Sequence, residues 1–255
     1  MSVACSETMR AVFDQWADRL MVHTSPGAAA LRFERGLIRG ASVTQAMGGR
    51  GGWSGGSDPV RDESGFVPLF DGHTDNWRVA GRGHFAVVGD RLESVPGEDV
   101  GVCWCAVPAP RDFMLRLRWL RWRHEDSSAI FVRFPTPSSD FPDPPQLVAR
   151  GFEVRLDEVG IPGETCIYRT GAILYEPSQR LTPRAARPPM EWNDVEITAV
   201  GQYYGVALNG RPVTLFANPE SIRGQASTAD APTFIGLQLF PGARVAFRDI
   251  RIKAL

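Results

Sequence analysis

Apolar and polar residues alternate along most of the chain after residue 66. In residues 113–122 every second position from Phe113 to Trp119 is apolar, whereas Arg116 and Arg118 occupy positions between them. An alternation with a period of two is typical of a β-strand with one buried face. The same alternation recurs in residues 129–134, 151–159, 194–201, 203–216, 234–240 and 244–255. Because no segment after residue 66 has helical periodicity, the pattern predicts an all-β sandwich of two antiparallel sheets.

Two short features interrupt this alternation. Asn209 and Gly210 separate two apolar runs, and both central residues of a type I′ hairpin turn require a positive φ angle, which these residue types tolerate. The sequence therefore predicts a β-hairpin at this position. In the last strand the apolar positions change parity at Arg248 and Asp249, which predicts a β-bulge or burial of both strand faces.

Residues 1–65 have a different pattern. Residues 6–21 carry apolar side chains at helical intervals after Ser6, a residue type suited to capping a helix, so a short amphipathic helix is predicted. The closely spaced glycines of residues 48–56 have little to bury and much backbone entropy to lose, which predicts a flexible segment. We therefore divide the chain into an N-terminal extension, residues 1–65, and a β-rich domain, residues 66–255.

Charge and hydropathy narrow the classes of function. The chain has 28 Lys plus Arg and 29 Asp plus Glu, a formal net charge of -1, whereas nucleic-acid-binding domains usually carry a positive excess. No apolar run approaches the roughly 18 residues of a membrane span. The amino terminus also lacks a basic region followed by an apolar one. We therefore expect a cytoplasmic protein with neither nucleic-acid nor membrane partners.

The cysteines and histidines offer little for catalysis or metal binding. Cys103 and Cys105 are two positions apart, so a strand would point both thiols to one face, and with Cys166 they could form a metal clip. The second Cys or His pair of a typical zinc site is missing, which favours buried thiols instead. The four histidines are scattered, and the sequence motifs of serine hydrolases, zinc proteases, phosphate loops and dinucleotide-binding folds are absent.

Polar residues inside otherwise apolar strands are the main candidates for a functional site. Glu153, Arg155 and Asp157 share one strand face. Parity places Arg133 on the face of Ala129 and Phe131, and Gln238 on the face of Gly236 and Phe240. On this basis we expect Arg133 to lie beside Glu153 and Asp157. Alternation by itself favours solvent-exposed outer faces; the alternative is a groove where carboxylates, arginines, an amide and aromatic rings meet a sugar.

The order of the motifs along residues 66–255 is similar to that of a known family. The motifs are FVPLFDGHTDNW, FAVVGDRLES, RDFMLRLRW, SSAIFVRF, GFEVRLDEVG, RTGAI, EWNDVEI, VALNGRPV, IGLQ and VAFRDIRIKAL. On these motifs the β-rich domain resembles the 3-keto-disaccharide hydrolase domain family, whose members have a jelly-roll, concanavalin-like β-sandwich. The resemblance implies the same fold class as the alternation predicts.

The resemblance also implies a reaction. Characterised members cleave glycosides that a separate sugar 3-dehydrogenase has oxidised to a ketone at C3. A base removes the C2 proton, an enolate forms, the C1 leaving group departs, and water adds back. This chemistry needs a base, a positive group for the enolate oxygen and an acid. A divalent metal could be that positive group, although no specific cofactor is implied. Carried over by motif, Glu153 or Asp157 is the base or a metal ligand, Arg133 holds the enolate, and Gln238 binds a hydroxyl.

The chain departs from the family motifs at Ser127, Arg155, Tyr168, Leu239 and Phe240. Arg155 stands where the family has a glutamine, and Tyr168 where a histidine is common. Two alternatives therefore accompany the 3-keto-glycoside hydrolase: a non-catalytic carbohydrate-binding jelly roll, and an enzyme acting on a glycosylated small molecule. The residues expected to bind the sugar or glycoside are Gln238, Arg155, Tyr168, Phe240 and Trp104. Trp119 and Trp122 are further stacking candidates, although core packing suits Trp119 better.

Overall fold

The computed structural model describes residues 63–98, 100–137, 150–159, 169–182, 185–220 and 222–255. The predicted N-terminal helix and glycine-rich segment lie outside these residues and stay predictions, as does the domain boundary at residue 66. Within the described part of the chain, no helix has the length and hydropathy that a membrane crossing requires.

Fourteen β-strands form the regular structure of the described residues. They are β1 (Val67–Pro68), β2 (Trp77–Gly81), β3 (His84–Val88), β4 (Arg91–Val95), β5 (Gly101–Cys105), β6 (Phe113–Arg121), β7 (Ser128–Phe134), β8 (Phe152–Leu156), β9 (Arg180–Leu181), β10 (Asn193–Val200), β11 (Tyr203–Leu208), β12 (Arg211–Ala217), β13 (Phe234–Leu239) and β14 (Val245–Ala254). The segments of predicted alternation coincide with β6, β7, β8 and β10 to β14. Strands β1 to β5 and β9 are not among the predicted segments, and each has at most five residues in which alternation can stand out.

Antiparallel pairing joins these strands into two sheets. The nine-stranded sheet has the order β3-β4-β14-β6-β10-β11-β12-β9, with β1 paired to β14. The five-stranded sheet has the order β2-β5-β13-β7-β8. Hairpins such as β3–β4, β10–β11–β12 and β7–β8 alternate in these orders with neighbours that are distant in sequence, such as β4–β14, β6–β10 and β5–β13, as in a jelly roll. The all-β sandwich of two antiparallel sheets is confirmed.

The core lies between the two sheets. Its fully buried side chains include Trp119 of β6, Phe152 of β8 and Tyr204 of β11. The ring centroid of Phe152 is 4.7 Å from that of Tyr204 and 5.4 Å from that of Phe216, both with edge-on geometry. Each buried aromatic side chain stabilises the fold by roughly 1.5–3 kcal/mol relative to an exposed one. Trp119 is therefore a core residue, as its alternation suggested, and not a stacking surface for a sugar.

Cys103 and Cys105 of β5 both point into this core, as their spacing predicted. Burial raises the pKa of Cys103 to about 12, with a smaller contribution from Cys105. Neutral thiols of this kind pack as small apolar side chains. Cys166, the third ligand of the alternative metal clip, lies outside the described residues.

The outer faces of the two sheets differ in character. On the nine-stranded sheet, cross-strand ion pairs join Arg116 to Glu196 at 2.8 Å and Arg118 to Asp194 at 2.9 Å. On the five-stranded sheet, a second apolar cluster covers the outer face. This cluster consists of Val102, Phe131, Phe134 and Phe234, with Trp104 packed against it. Strands β5, β13, β7 and β8 are therefore buried on both faces, whereas the edge strand β2 is largely exposed, and polar residues on the outer face of the four buried strands are not simply solvent-facing.

The two predicted interruptions are both present. Asn209 and Gly210 have φ angles of 50° and 75° and connect β11 to β12 as the predicted hairpin. The pairing of β14 with β6 shifts between Arg248 and Arg251, and Asp249 has a φ of 52°. The change of parity in the last strand is therefore a β-bulge.

Candidate functional site

A buried ionic network lies on the outer face of the five-stranded sheet, along β8. Residues two apart on a strand point to the same face, so Glu153, Arg155 and Asp157 form a row, and they are 2%, 9% and 7% exposed. Arg155 Nη1 donates to Glu153 Oε1 at 2.9 Å, and Arg155 Nη2 donates to Asp157 Oδ2 at 2.6 Å. The structure thus brings together three of the predicted site residues.

The electrostatics of the network follow from its burial. Burial raises the pKa of Glu153, and the opposing attraction of Arg155 does not cancel this effect. For Arg155, burial alone would lower the pKa, but Glu153 and Asp157 outweigh it, so the pKa of Arg155 is raised. The site therefore combines a permanently charged guanidinium with a carboxyl group of increased basicity, a combination that is common at catalytic centres.

Residues 170–174 run beside β8 and hold the network in place. The backbone N–H of Arg155 donates to Ala172 O at 2.8 Å, and that of Leu174 donates to Glu153 O at 2.9 Å. The backbone N–H of Asp157 donates to Thr170 Oγ1 at 2.9 Å. The backbone of β8 is hydrogen-bonded to β7 on one side and to residues 170–174 on the other. The Cα positions of its outward-pointing residues are therefore fixed.

Strand register places Gln238 opposite this network. Gln238 on β13 is in line with Ala129 on β7, since the neighbouring pair is Leu237 with Ile130, and Ala129 pairs with Arg155 on β8. The Oε1 atom of Gln238 and the Nε atom of Arg155 are both buried with no hydrogen-bond partner among the described residues. Buried polar atoms without a partner occur elsewhere among the described residues too, for example Trp119 Nε1 and Arg133 Nε.

An aromatic surface adjoins the polar row on the same face. Trp104 of β5 is half-buried and packs edge-on against Phe234, with ring centroids 4.9 Å apart. Phe134 lies 6.3 Å from Phe234 and 6.3 Å from Phe131, centroid to centroid. Trp104 was predicted to bind the ligand, whereas sequence reasoning missed Phe134 and Phe234. Only the bulge described next brings Phe134 to this face.

Arg133 points to the opposite face of the five-stranded sheet, so its predicted position beside Glu153 and Asp157 is wrong. Val132 and Phe134 pair with consecutive residues of β13, which leaves Arg133 as an extra residue with a φ of 55°. Such a bulge reverses the parity of the strand beyond it. Arg133 therefore points inward and Phe134 outward.

The protein itself pairs both terminal nitrogens of the inward Arg133 guanidinium, and the residue is 1% exposed. Its Nη2 donates to Arg111 O at 2.7 Å, and its Nη1 donates to Gly201 O, to Tyr204 Oη at 3.3 Å and to Gly224 O at 3.4 Å. These bonds link β7 to three loops at one end of the sandwich. Arg133 is therefore held by the protein's own hydrogen bonds and is not part of the row on β8.

The remaining predicted ligand contacts are not part of the row. Phe240 follows β13 and is 41% exposed. Tyr168 lies outside the described residues. Trp122 is half-buried beneath Arg244, whose Cζ is 4.2 Å from its ring centroid. Of the aromatic candidates, Trp104 lies on the same face as the ionic network, but β13 and β7 separate its strand from β8.

The described residues do not fit a divalent cation between Glu153 and Asp157. The guanidinium of Arg155 is hydrogen-bonded to both carboxylates, and its positive charge repels a second cation at that position. No cluster of three or more His, Cys, Asp or Glu side chains that could hold a metal occurs in the described part of the chain. Arg155 is therefore the positive group that the chain itself supplies.

Known proteins share this fold and sequence pattern. The 3-keto-alpha-glucoside-1,2-lyase-like domain family matches residues 65–253. Two candidate glycosyl hydrolases of Parabacteroides distasonis have similar solved structures. The first has 22% identity and a TM-score of 0.56 over 74% of this chain and 99% of that one. The second has 17% identity and a TM-score of 0.57, and the match covers 75% of this chain and 94% of the second protein's chain. A Bacillus subtilis protein of unknown function with a galectin-like fold has 14% identity and a TM-score of 0.52. That match covers 74% of this chain and 94% of the Bacillus protein's chain. These structures share the fold with the chain. No curated protein sequence matches it.

Proposed function

The chain belongs to the 3-keto-alpha-glucoside-1,2-lyase-like domain family, and from this premise we propose that it cleaves glycosides carrying a ketone at C3. The observation that carries the proposal is the buried Glu153–Arg155–Asp157 network on the outer face of the five-stranded sheet. It supplies the two groups that elimination from a 3-keto sugar requires, a carboxylate base and a fixed positive charge.

Glu153 is the base in the proposed reaction. A ketone at C3 acidifies the proton on C2, and the raised pKa of Glu153 makes its carboxylate a better acceptor for that proton than an exposed glutamate. The C2–H electron pair forms the C2=C3 bond of an enolate, and the negative charge moves to the C3 oxygen. Arg155 lies two residues along β8 and stabilises that oxygen, while Asp157 orients Arg155 from the far side.

Collapse of the enolate restores the ketone and expels the group on C1. The C1–O bond breaks as a C1=C2 bond forms, and the departing oxygen takes the proton held by Glu153. Water then adds its oxygen to C1 and a proton returns to C2, so the sum is hydrolysis. A separate sugar 3-dehydrogenase must supply the ketone, since the reaction has no redox step of its own.

Release of 4-nitrophenol from 4-nitrophenyl 3-keto-α-glucoside tests this proposal. The wild type should release the phenol, and Glu153→Gln should lower kcat by about 10²–10⁴-fold, the usual contribution of a positioned base. Glu196→Gln is the matched control because Glu196 lies on the outer face of the other sheet. The proposal fails if the folded wild type releases no phenol, or if both variants have wild-type rates.

A carbohydrate-binding role without turnover is the second candidate. Trp104 is half-buried on the same sheet face as the polar row, with β13 and β7 between its strand and that of Glu153, and an exposed part of an indole face suits a pyranose ring. Measurable binding of the ketone substrate with no phenol release would favour this role. The same aromatic surface would suit an aglycone other than a sugar, so a substrate panel should include aryl 3-keto-glucosides alongside 3-keto-disaccharides.

A further inference from the structure

One edge of the sandwich leaves part of the core open to solvent. Strand β3 is the last strand of the nine-stranded sheet, and no strand of the described residues pairs with its outer edge. Phe85 of β3 points into the core, where its ring centroid is 5.8 Å from that of Phe247. Val87 points the same way but is 42% exposed. Val79, on the inner face of the edge strand β2, is 50% exposed. Apolar side chains of the inner faces therefore meet water along this edge.

Strand β3 lacks the features that usually protect an edge strand. Its residues, His84–Val88, include no proline and no Lys, Arg, Asp or Glu. No register shift interrupts its pairing with β4. Edge strands of natural proteins are commonly protected by proline, by charged side chains or by a bulge, so that no further strand can add to them. The outer edge of β3 is therefore suited to pairing with another strand.

The register of β3 with β4 shows which backbone groups of β3 face outward. Gly89 begins a two-residue turn between the two strands, and its φ of 63° fits the positive φ at the first position of a type II′ turn. Val88, which precedes the turn, therefore exchanges backbone hydrogen bonds with its partner on β4, and so does Ala86. At the alternate positions, the N–H and C=O groups of Phe85 and Val87 point away from β4.

A second copy of β3 carries the matching groups. We propose that two copies of this chain pair through β3 in antiparallel orientation, about a two-fold axis at Ala86, and so join their nine-stranded sheets. In this register Phe85 of each copy lies opposite Val87 of the other, so their outward N–H and C=O groups are hydrogen-bond partners of each other. The apolar side chains of these two residues then cover one another where the core is open.

The residues that flank β3 carry opposite charges at equal distances from Ala86. Arg82 lies four positions before Ala86 and Asp90 four positions after it, and both are exposed. The two-fold register therefore places Arg82 of each copy opposite Asp90 of the other, at both ends of the paired strands. Asp90 Oδ2 is 3.4 Å from Arg248 Nη1 of its own chain, but the Asp90 side chain is 70% exposed, so a second cation can approach it. This charge complementarity favours a second copy as the partner, in antiparallel rather than parallel orientation.

Exchange of the two charges tests this pairing. In sedimentation equilibrium, the mass of the full chain should rise with concentration from 28.0 kDa towards twice that value. Arg82→Asp and Asp90→Arg each place like charges at both ends, so each should raise the Kd of the dimer about tenfold. The variant with both substitutions restores opposite charges and should dimerise like the wild type. Arg211→Asp is the matched control, because Arg211 is exposed on β12, near the other end of the strand order.

Val87→Pro removes an outward N–H on which the pairing depends and leaves the hydrogen bonds between β3 and β4 in place. This variant should remain folded in thermal unfolding and stay a monomer. A wild type that stays at 28.0 kDa up to about 1 mM would overturn the proposal. Single charge variants that dimerise as tightly as the wild type would also overturn it, since the dimer would then use another surface, and so would a double variant no tighter than the single ones. The charge variants decide the matter if Val87→Pro does not fold.

Discussion

Replacement of Arg133 by methionine should unfold the domain more easily without weakening ligand binding. The variant removes the guanidinium that serves Arg111 O and Gly201 O, and no other donor to either oxygen is present among the described residues. Tyr204 Oη and Gly224 O keep their bond to each other at 2.9 Å. Two part-buried carbonyl oxygens and the Asp112 carboxylate therefore lose this donor.

The cost follows from these two oxygens. An acceptor that loses its donor costs about 1–3 kcal/mol when fully buried, and water can reach these part-buried oxygens, so the free energy of unfolding should fall by about 1–3 kcal/mol. For a domain of this size, a loss of about 2 kcal/mol lowers Tm by about 4–8 °C. Thermal unfolding followed by circular dichroism measures this shift. Arg118→Met is the control because the Arg118 side chain is 40% exposed, and loss of a surface ion pair costs about 1 kcal/mol or less.

Ligand binding separates this explanation from the role first expected of Arg133. Since the guanidinium points into the sandwich, folded Arg133→Met should bind the 3-keto derivative of 1,5-anhydroglucitol, a substrate analogue without a glycosidic oxygen, within twofold of the wild type. A variant that keeps the wild-type Tm but loses binding or turnover would refute the structural role and return Arg133 to the site. A Tm no lower than that of Arg118→Met would refute the hydrogen-bond argument.

Three further outcomes are expected. A catalytic base must be ionised, so kcat/KM should rise with pH as Glu153 loses its proton. Because burial raises the pKa of Glu153, the midpoint of this rise should lie above 4.5, the ordinary pKa of glutamic acid. A midpoint at or below 4.5 would contradict the assignment. The thiol of Cys103 should react with Ellman's reagent only after denaturation, because burial raises its pKa to about 12, and rapid labelling of the native protein would contradict its core position. Gly224→Ala should destabilise the domain by about 3 kcal/mol or more, since a Cβ there would collide with Phe152 and lie 2.8 Å from Tyr204 Oη. Gly89→Ala is the control, because Gly89 has a similar φ of +63° but an added Cβ would meet no atom within 4 Å. This variant should lose stability through backbone strain alone. Equal urea midpoints for the two variants would contradict the collision at Gly224.

Much of the fold could be predicted from the sequence because its signals are local. Alternation in residues 113–122 identified the buried face of β6, and Asn209 with Gly210 identified the β11–β12 hairpin. The change of parity at Asp249 identified a bulge because apolar residues stand on both sides of it. Each of these signals depends only on backbone preference and on the period of a strand.

The candidate site was predictable only where one strand carries it. Glu153, Arg155 and Asp157 follow from the parity of β8 alone, and the structure places them together. Arg133 did not follow, because a bulge inside β7 reverses the parity and the nearly all-apolar letters AIFVRF give no sign of it. Arginine is an ordinary residue for an outer face, so nothing local indicated that this one is buried.

By itself, the sequence determined the fold class, the hairpin, the thiols in the core and the row of charges on β8, since all of these depend on neighbours along the chain. Only the tertiary structure decided which polar groups meet. The line from Gln238 through Ala129 to Arg155 depends on the register of three strands from distant parts of the chain. The burial of that line depends on what packs over the outer face. Register and burial are set by non-local packing, and no local pattern of residues contains them.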